Sequence, residues 1–143
     1  MNGNRDVELV EQAMVAIRRS QTRRALAELA SPAYDVLDVV EAAEHNGAQA
    51  TVSSVATSLN VDQPRASKLV TLAVDGGLVR RVADQADGRR ALLVRTPRGR
   101  AVSAEIHRSR QAAFASAMTD WSDDERAEFA RLLTRFVTAF GAR

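Results

Sequence analysis

The stretch that most constrains this chain is residues 51–96, TVSSVATSLNVDQPRASKLVTLAVDGGLVRRVADQADGRRALLVRT. Thr51 can cap a short helix in which Val55, Ala56 and Leu59 face inward, and Asn60-Val61 makes a tight turn. Asp62 then caps a second helix running to about Gly76, with Ala66, Leu69, Val70 and Ala73 at the i, i+3, i+4, i+7 spacing of one buried stripe. Gly77 ends that helix, and Leu78-Val79 begins a strand. Asp84-Gln85-Ala86-Asp87-Gly88 is a turn signal, and residues 91–96 return as a second strand. Two short helices followed by a hairpin with an arginine-rich tip describe a helix-turn-helix with a β-wing. That arrangement sets one helix in a DNA major groove with basic side chains beside it.

The flanks read as helices. Val7, Val10, Met14 and Ile17 recur at spacings of three and four, which predicts a helix over residues 5–29. Ser31 as cap and Pro32 in the first turn start another, with Tyr34, Leu37, Val40 and Ala43 on one face, closing at Asn46-Gly47. Pro97 stops the second strand, and a long helix is expected over residues 98–117. Ser122 and Glu125 form a capping box for a last helix bearing Phe129, Leu132, Leu133, Phe136, Val137 and Phe140. The expected fold is therefore mainly α with a small β-hairpin wing, a winged helix-turn-helix with about six helices. It reads as a single domain over residues 1–143, in which 51–96 form the DNA-binding region and 5–46 and 98–143 a helical region.

Composition narrows the chemistry. The chain has no cysteine, which excludes disulfides, thiolate zinc sites and cysteine-based redox sensing. With only His45 and His107, a histidine metal site would need carboxylate help, and no metal site is expected. There is no glycine-rich phosphate loop, nucleophile elbow or convincing catalytic pair, so no catalytic residue, no cofactor and no enzymatic activity are expected. The N-terminal MNGNRDVELVEQ lacks an apolar h-region and no long apolar run follows, so a cytoplasmic protein without membrane attachment is expected. Net charge is +2, unevenly spread: residues 60–100 carry nine Lys/Arg against four Asp, a net of +5, leaving −3 elsewhere. A basic middle between acidic flanks fits a polyanion-binding module on a scaffold. Nearly every cation is arginine, with Lys68 the one lysine.

Within the second helix, Gln63, Pro64, Arg65, Ser67, Lys68 and Thr71 point away from the core stripe. Arg65 is the candidate for a bidentate contact to guanine, and Gln63 can pair with adenine. Lys68, Ser67 and Thr71 suit phosphate contacts, as do Ser53, Ser54 and the N–H groups near Thr51. One such face alone is equally a solvated helix surface; the preceding helix and the wing give it direction. At the wing tip Arg89 and Arg90 suit a narrow minor groove. Asp87 either orients Arg89 by a salt bridge across the turn or simply starts the turn.

The run LNVDQPRASKLVTLAVDGGLVRR followed by DQADGRRALLVRTPRGR resembles the MarR family of bacterial winged-helix regulators. The likeness is carried by Gly77-Leu78-Val79 after the second helix, by Asp87-Gly88-Arg89-Arg90 in the wing and by Thr96-Pro97-Arg98-Gly99 opening the next helix. It spans essentially the whole chain. Two departures are Ala73, where the family often has leucine, and Arg65, where a small hydroxyl residue is common; the second changes which operator would be read. The resemblance implies a homodimer joined by the N- and C-terminal helices on double-stranded DNA with an inverted repeat. The long apolar stripes also call for a partner surface, although both could pack within one protomer. It further implies a transcription regulator, as a repressor, released by a small aromatic or anionic effector, with Arg18, Arg19, Tyr34 and His107 the polar groups suited to line its cleft. A winged-helix adaptor that binds protein without specific DNA contact is the other reading.

Overall fold

Ala66, Leu69, Val70 and Ala73 are all buried, as their spacing predicts, and the other elements are arranged around that stripe. The computed structural model describes residues 3–28 and 32–141, with the side chains of 21–28 outside the description. Ser31, expected as a helix cap, also lies outside the described residues. In chain order the elements are α1 (Gly3–Glu28), α2 (Pro32–His45), α3 (Val52–Leu59), α4 (Gln63–Asp75), β1 (Val79–Ala83), β2 (Ala91–Arg95), α5 (Pro97–Ala117) and α6 (Asp123–Gly141). Two compact units divide between Ser103 and Ala104, within α5.

The first unit holds the winged helix. Its core joins the α4 stripe to Ala33, Val36, Leu37 and Val40 of α2, Val55 of α3, and Leu78, Val79 and Leu93 of the hairpin. The expected α2 face (Tyr34, Leu37, Val40, Ala43) is only half right. Tyr34 is 43% exposed, and Ala33 and Val36 take its place in the core. The physical reason is phase: a strict spacing of three drifts about 60° per step from a 3.6-residue period, whereas 33, 36, 37 and 40 stay on one stripe.

Local chemistry sets the ends of these helices. Thr51 caps α3 reciprocally with Ser54: each backbone N–H donates to the other's hydroxyl, at 2.8 and 3.1 Å. Asn60 ends α3 in the left-handed region at φ 54, and Asp62 Oδ1 accepts from the Arg65 N–H at 2.7 Å to start α4. Thr96 caps α5, accepting from the Gly99 N–H at 2.9 Å while its hydroxyl donates to the Gly77 carbonyl. The end of α4 and the start of α5 are thus joined through one hydroxyl.

The hairpin pairs antiparallel, with Val79 opposite Arg95 and Ala83 opposite Ala91. It is fixed to the helices at its base. The Leu93 N–H donates to Ala50 O at 2.8 Å, which sets β2 against the segment before α3. Arg95 reaches α2, where its Nη1 donates to Glu41 Oε2 at 3.0 Å and its Nη2 to Glu44 Oε2 at 2.7 Å. The Arg95 and Glu41 side chains are each only 12% exposed. Hydrogen bonding from Arg95 holds the Glu44 carboxyl below its ordinary value, against the opposing effect of partial burial.

In the second unit the expected capping box is present: the Ser122 N–H donates to Glu125 Oε1 at 2.9 Å and the Glu125 N–H to Ser122 Oγ at 3.1 Å. Trp121 meets Phe129 edge-on with ring centroids 5.2 Å apart, while Phe136 and Phe140 stack at 5.7 Å. Among the described residues neither α1 nor α6 buries a side chain, so Val10, Ile17, Phe129, Leu132 and Val137 lie open to solvent in the single chain. No described helix is long and apolar enough to cross a membrane.

Two outcomes follow from this packing. A Cβ at Gly99 would overlap the Leu78 carbonyl oxygen and press on Leu37, so Gly99→Ala should lower unfolding free energy in urea by about 3 kcal/mol; an unchanged midpoint would contradict the close approach. Because its folded-state pKa is lowered, Glu44 contributes stability that is complete above the ordinary carboxylate value and fades as pH falls through the lowered one. The difference in Tm between wild type and Glu44→Gln should therefore shrink between neutral pH and about pH 3, and a gap constant with pH would contradict the assignment.

Candidate nucleic-acid interface

The buried stripe of α4 fixes which side chains face out. Gln63, Pro64, Arg65, Ser67, Lys68 and Thr71 are all exposed on the opposite side of the helix, as the spacing predicts. Two of them are held by neighbours. Gln63 Nε2 donates to Ser53 Oγ at 3.3 Å, tying the exposed start of α4 to α3 across the turn. Thr71 Oγ1 donates back to the Ser67 carbonyl at 3.0 Å and accepts from Arg81 Nη2 at 3.4 Å. Arg81 therefore reaches from β1 onto the outer face of α4, a contact absent from the sequence reading. The Arg65 and Lys68 side chains extend from exposed positions and can reach a ligand.

Of the two roles open to Asp87, the wing tip shows the turn-forming one. Asp87 Oδ1 accepts from the Arg89 backbone N–H at 3.1 Å, and the Asp87 carbonyl accepts from the Arg90 N–H at 3.0 Å. The carboxylate closes the turn as an Asx motif and makes no ion pair with the Arg89 guanidinium, so the orienting salt bridge is not formed. Asp84 takes the structural role instead. It is 7% exposed, its Oδ1 accepts from the Ala86 N–H at 2.9 Å, and its Oδ2 lies 3.7 Å from Arg90 Nε. An aspartate that leaves a strand can satisfy the tip's N–H groups and neutralise one arginine at once. Its position at the strand exit, three residues before Asp87, is the signal that marks it. Arg89 is left as the tip cation with no ion pair among the described residues.

Thr51, Val52, Ser53, Gln63, Arg89, Arg90 and Ala91 line one open groove of about 440 Å³. The N-terminus of α3, the first residue of α4 and the wing tip meet there. Backbone N–H groups at a helix start and guanidinium groups on the facing wall suit a phosphate. Ser54 is not on that surface; its hydroxyl is engaged in the Thr51 capping box and donates to the Thr51 carbonyl at 2.9 Å. The basic excess is also redistributed. Arg95 is neutralised by Glu41 and Glu44, Arg98 Nε donates to the Gly76 carbonyl at 3.2 Å, and Arg100 Nη1 donates to the Arg95 carbonyl at 3.2 Å. The cations exposed on α4 and the wing are Arg65, Lys68, Arg80, Arg81, Arg89 and Arg90, the last facing Asp84, while Arg98 and Arg100 keep their charge at the start of α5.

The residues suited to a small effector are spread over three helices. Arg18 and Arg19 lie exposed on α1, Tyr34 lies exposed on α2, and His107 is half-buried on α5. Among the described residues no group of three or more His, Asp and Glu side chains is placed to hold a metal ion.

Comparisons with known proteins agree with this geometry. Residues 27–90 match the model of the MarR family. A MarR family protein from Bacillus stearothermophilus has the same fold, with TM-score 0.79 and 20% identity over 97% of this chain and 98% of that one. Streptococcus pneumoniae FabT, solved in complex with DNA, matches with TM-score 0.69 and 16% identity over 95% and 98% of the two chains. The PcaV transcriptional regulator from Streptomyces coelicolor, solved with its natural ligand, matches with TM-score 0.57 and 25% identity over 87% and 90%. A search of curated proteins finds no match. The segment from the end of α1 to the wing tip therefore matches the MarR family model, within a chain that shares the fold of a MarR family structure along nearly its whole length.

Proposed function

We propose that this chain is a sequence-specific DNA-binding transcription regulator, acting as a repressor on an inverted-repeat operator. The observation that carries the reading is the single groove in which the start of α4, the capped start of α3 and the wing arginines meet. A duplex laid along it would receive the N-terminal turn of α4 in its major groove, with Arg65 and Gln63 toward base edges. Ser53, Ser67, Lys68, Thr71 and the N–H groups after Thr51 would meet phosphates, and Arg89 the adjoining minor groove. Arg81, beside Thr71, joins the phosphate-facing set. FabT's complex with DNA supports the same use of the fold.

The regulator works as a homodimer in this account. The exposed apolar faces of α1 and α6 support it, because Met14, Ile17, Phe129, Leu132, Leu133 and Phe140 would otherwise leave extended apolar surface in water. A two-fold axis would place two α4 helices about 34 Å apart, one turn of duplex, which makes the operator palindromic. A small aromatic or anionic effector would release the DNA, with Arg18, Arg19, Tyr34 and His107 its candidate contacts; PcaV's ligand complex is the precedent in a relative.

Fluorescence anisotropy with a duplex recovered from a randomised pool tests the reading. Wild-type affinity should fall steeply with salt, as phosphate neutralisation requires. Arg65→Ala should cost about 1–3 kcal/mol and relax the preference at one base pair, while Arg89→Ala weakens binding more uniformly across sequences. A log–log salt slope near zero, or both variants binding as wild type does, would overturn the proposal in favour of a protein-binding adaptor.

A further inference from the structure

We propose that the Glu41–Arg95–Glu44 cluster is a positioning device for the wing, setting where Arg89 and Arg90 meet the duplex; this rests on the DNA-binding reading above. Arg95 ends β2, the strand that begins one residue after Arg90. Its guanidinium spans two carboxylates of α2, with Nε and Nη2 on Glu44 Oε2 at 3.0 and 2.7 Å and Nη1 on Glu41 Oε2 at 3.0 Å. Its backbone N–H also faces Glu44 Oε1 at 3.4 Å. These are contacts between residues 51 and 54 positions apart, and they are the charged link from the hairpin to the helical core.

The geometry makes that link consequential. The two strands form one antiparallel ladder, so the hairpin moves as a unit. The hairpin is also held by the Leu93–Ala50 bridge, by the Arg81–Thr71 contact at 3.4 Å, by the Thr96 hydroxyl on the Gly77 carbonyl and by Val79 and Leu93 in the core, whereas Arg95 is its ionic tie to α2. A five-residue strand at about 3.3 Å per residue is a lever of roughly 16 Å, so a tilt of about 10° at Arg95 shifts the tip by roughly 3 Å. A displacement of that size equals a hydrogen-bond length and would take Arg89 off its phosphate or groove position. Arg95 is mostly buried and faces α2, so it is not itself a DNA contact. Its effect on DNA runs through the wing arginines.

The sign of one substitution separates positioning from bulk charge. Replacing both acids, Glu41→Gln with Glu44→Gln, makes the chain more positive, and charge alone would tighten DNA binding. The positioning role demands the reverse: a roughly three- to tenfold weakening on the selected duplex, in the range expected for coupling through an intervening element. A double-mutant cycle then locates the effect. The loss should vanish when the same changes are made in an Arg89→Ala, Arg90→Ala protein and persist in full in an Arg65→Ala protein. Circular dichroism melts on every variant confirm that folded protein is compared. Equal or tighter binding by the double glutamine variant would overturn the proposal. So would a loss of the same size in the protein lacking the wing arginines. Wild-type protein that fails to bind DNA would overturn the functional reading together with this one, whereas additive cycles on a wild type that does bind overturn this one alone.

Discussion

Burial of the Ala66, Leu69, Val70 and Ala73 stripe against α2 and α3 is the constraint on which the rest depends. Once those four side chains are inside, the helical period leaves Gln63, Arg65, Ser67, Lys68 and Thr71 no position except the outer face. Small residues at 66 and 73 let α4 lie close to its neighbours, and Leu69 and Val70 supply the apolar contact. The reading surface is thus a by-product of packing. The polar residues are held outward by the apolar ones, and local caps at Thr51 and Asp62 decide where that surface begins.

The wing follows a different logic. Val79 and Leu93 seat its base in the core, and polar contacts add direction: the Leu93–Ala50 bridge, the Thr96 hydroxyl, and Arg95 on two α2 carboxylates. Ion pairs of this kind are poor sources of net stability because desolvation offsets much of their attraction. They are good at fixing geometry, since a planar guanidinium accepts only a few arrangements of its partners. Asp84 accepts from the Ala86 N–H and faces Arg90 at the tip, so acid–arginine pairs stand at both ends of a hairpin whose exposed end carries Arg89.

Much of this was legible in the sequence because the chemistry is local. Caps at Thr51, Asp62 and Ser122, the left-handed turn at Asn60 and the α4 stripe each depend on residues within four or seven positions of one another. On α2, Leu37 and Val40 are core as expected, while Ala33 and Val36 take the place of Tyr34, whose apolar ring hides a phase that the 3.6-residue period carries. Long-range polar pairings left no local trace. Nothing near Arg95 identifies Glu41 and Glu44 as its partners, and counting it with the DNA-facing cations overstates the outward charge. Asp84 differs from Asp87 in following the last residue of β1 directly, and its burial follows from that place.

On this reading α4 and the wing tip grip one duplex together. Amide hydrogen exchange of the full chain with and without the selected duplex tests it directly. Slowed exchange is predicted in three patches at once: residues 52–54, the first two turns of α4, and residues 84–91. Protection confined to α1 and α6, or protection of α4 with no change in the wing, would contradict the account.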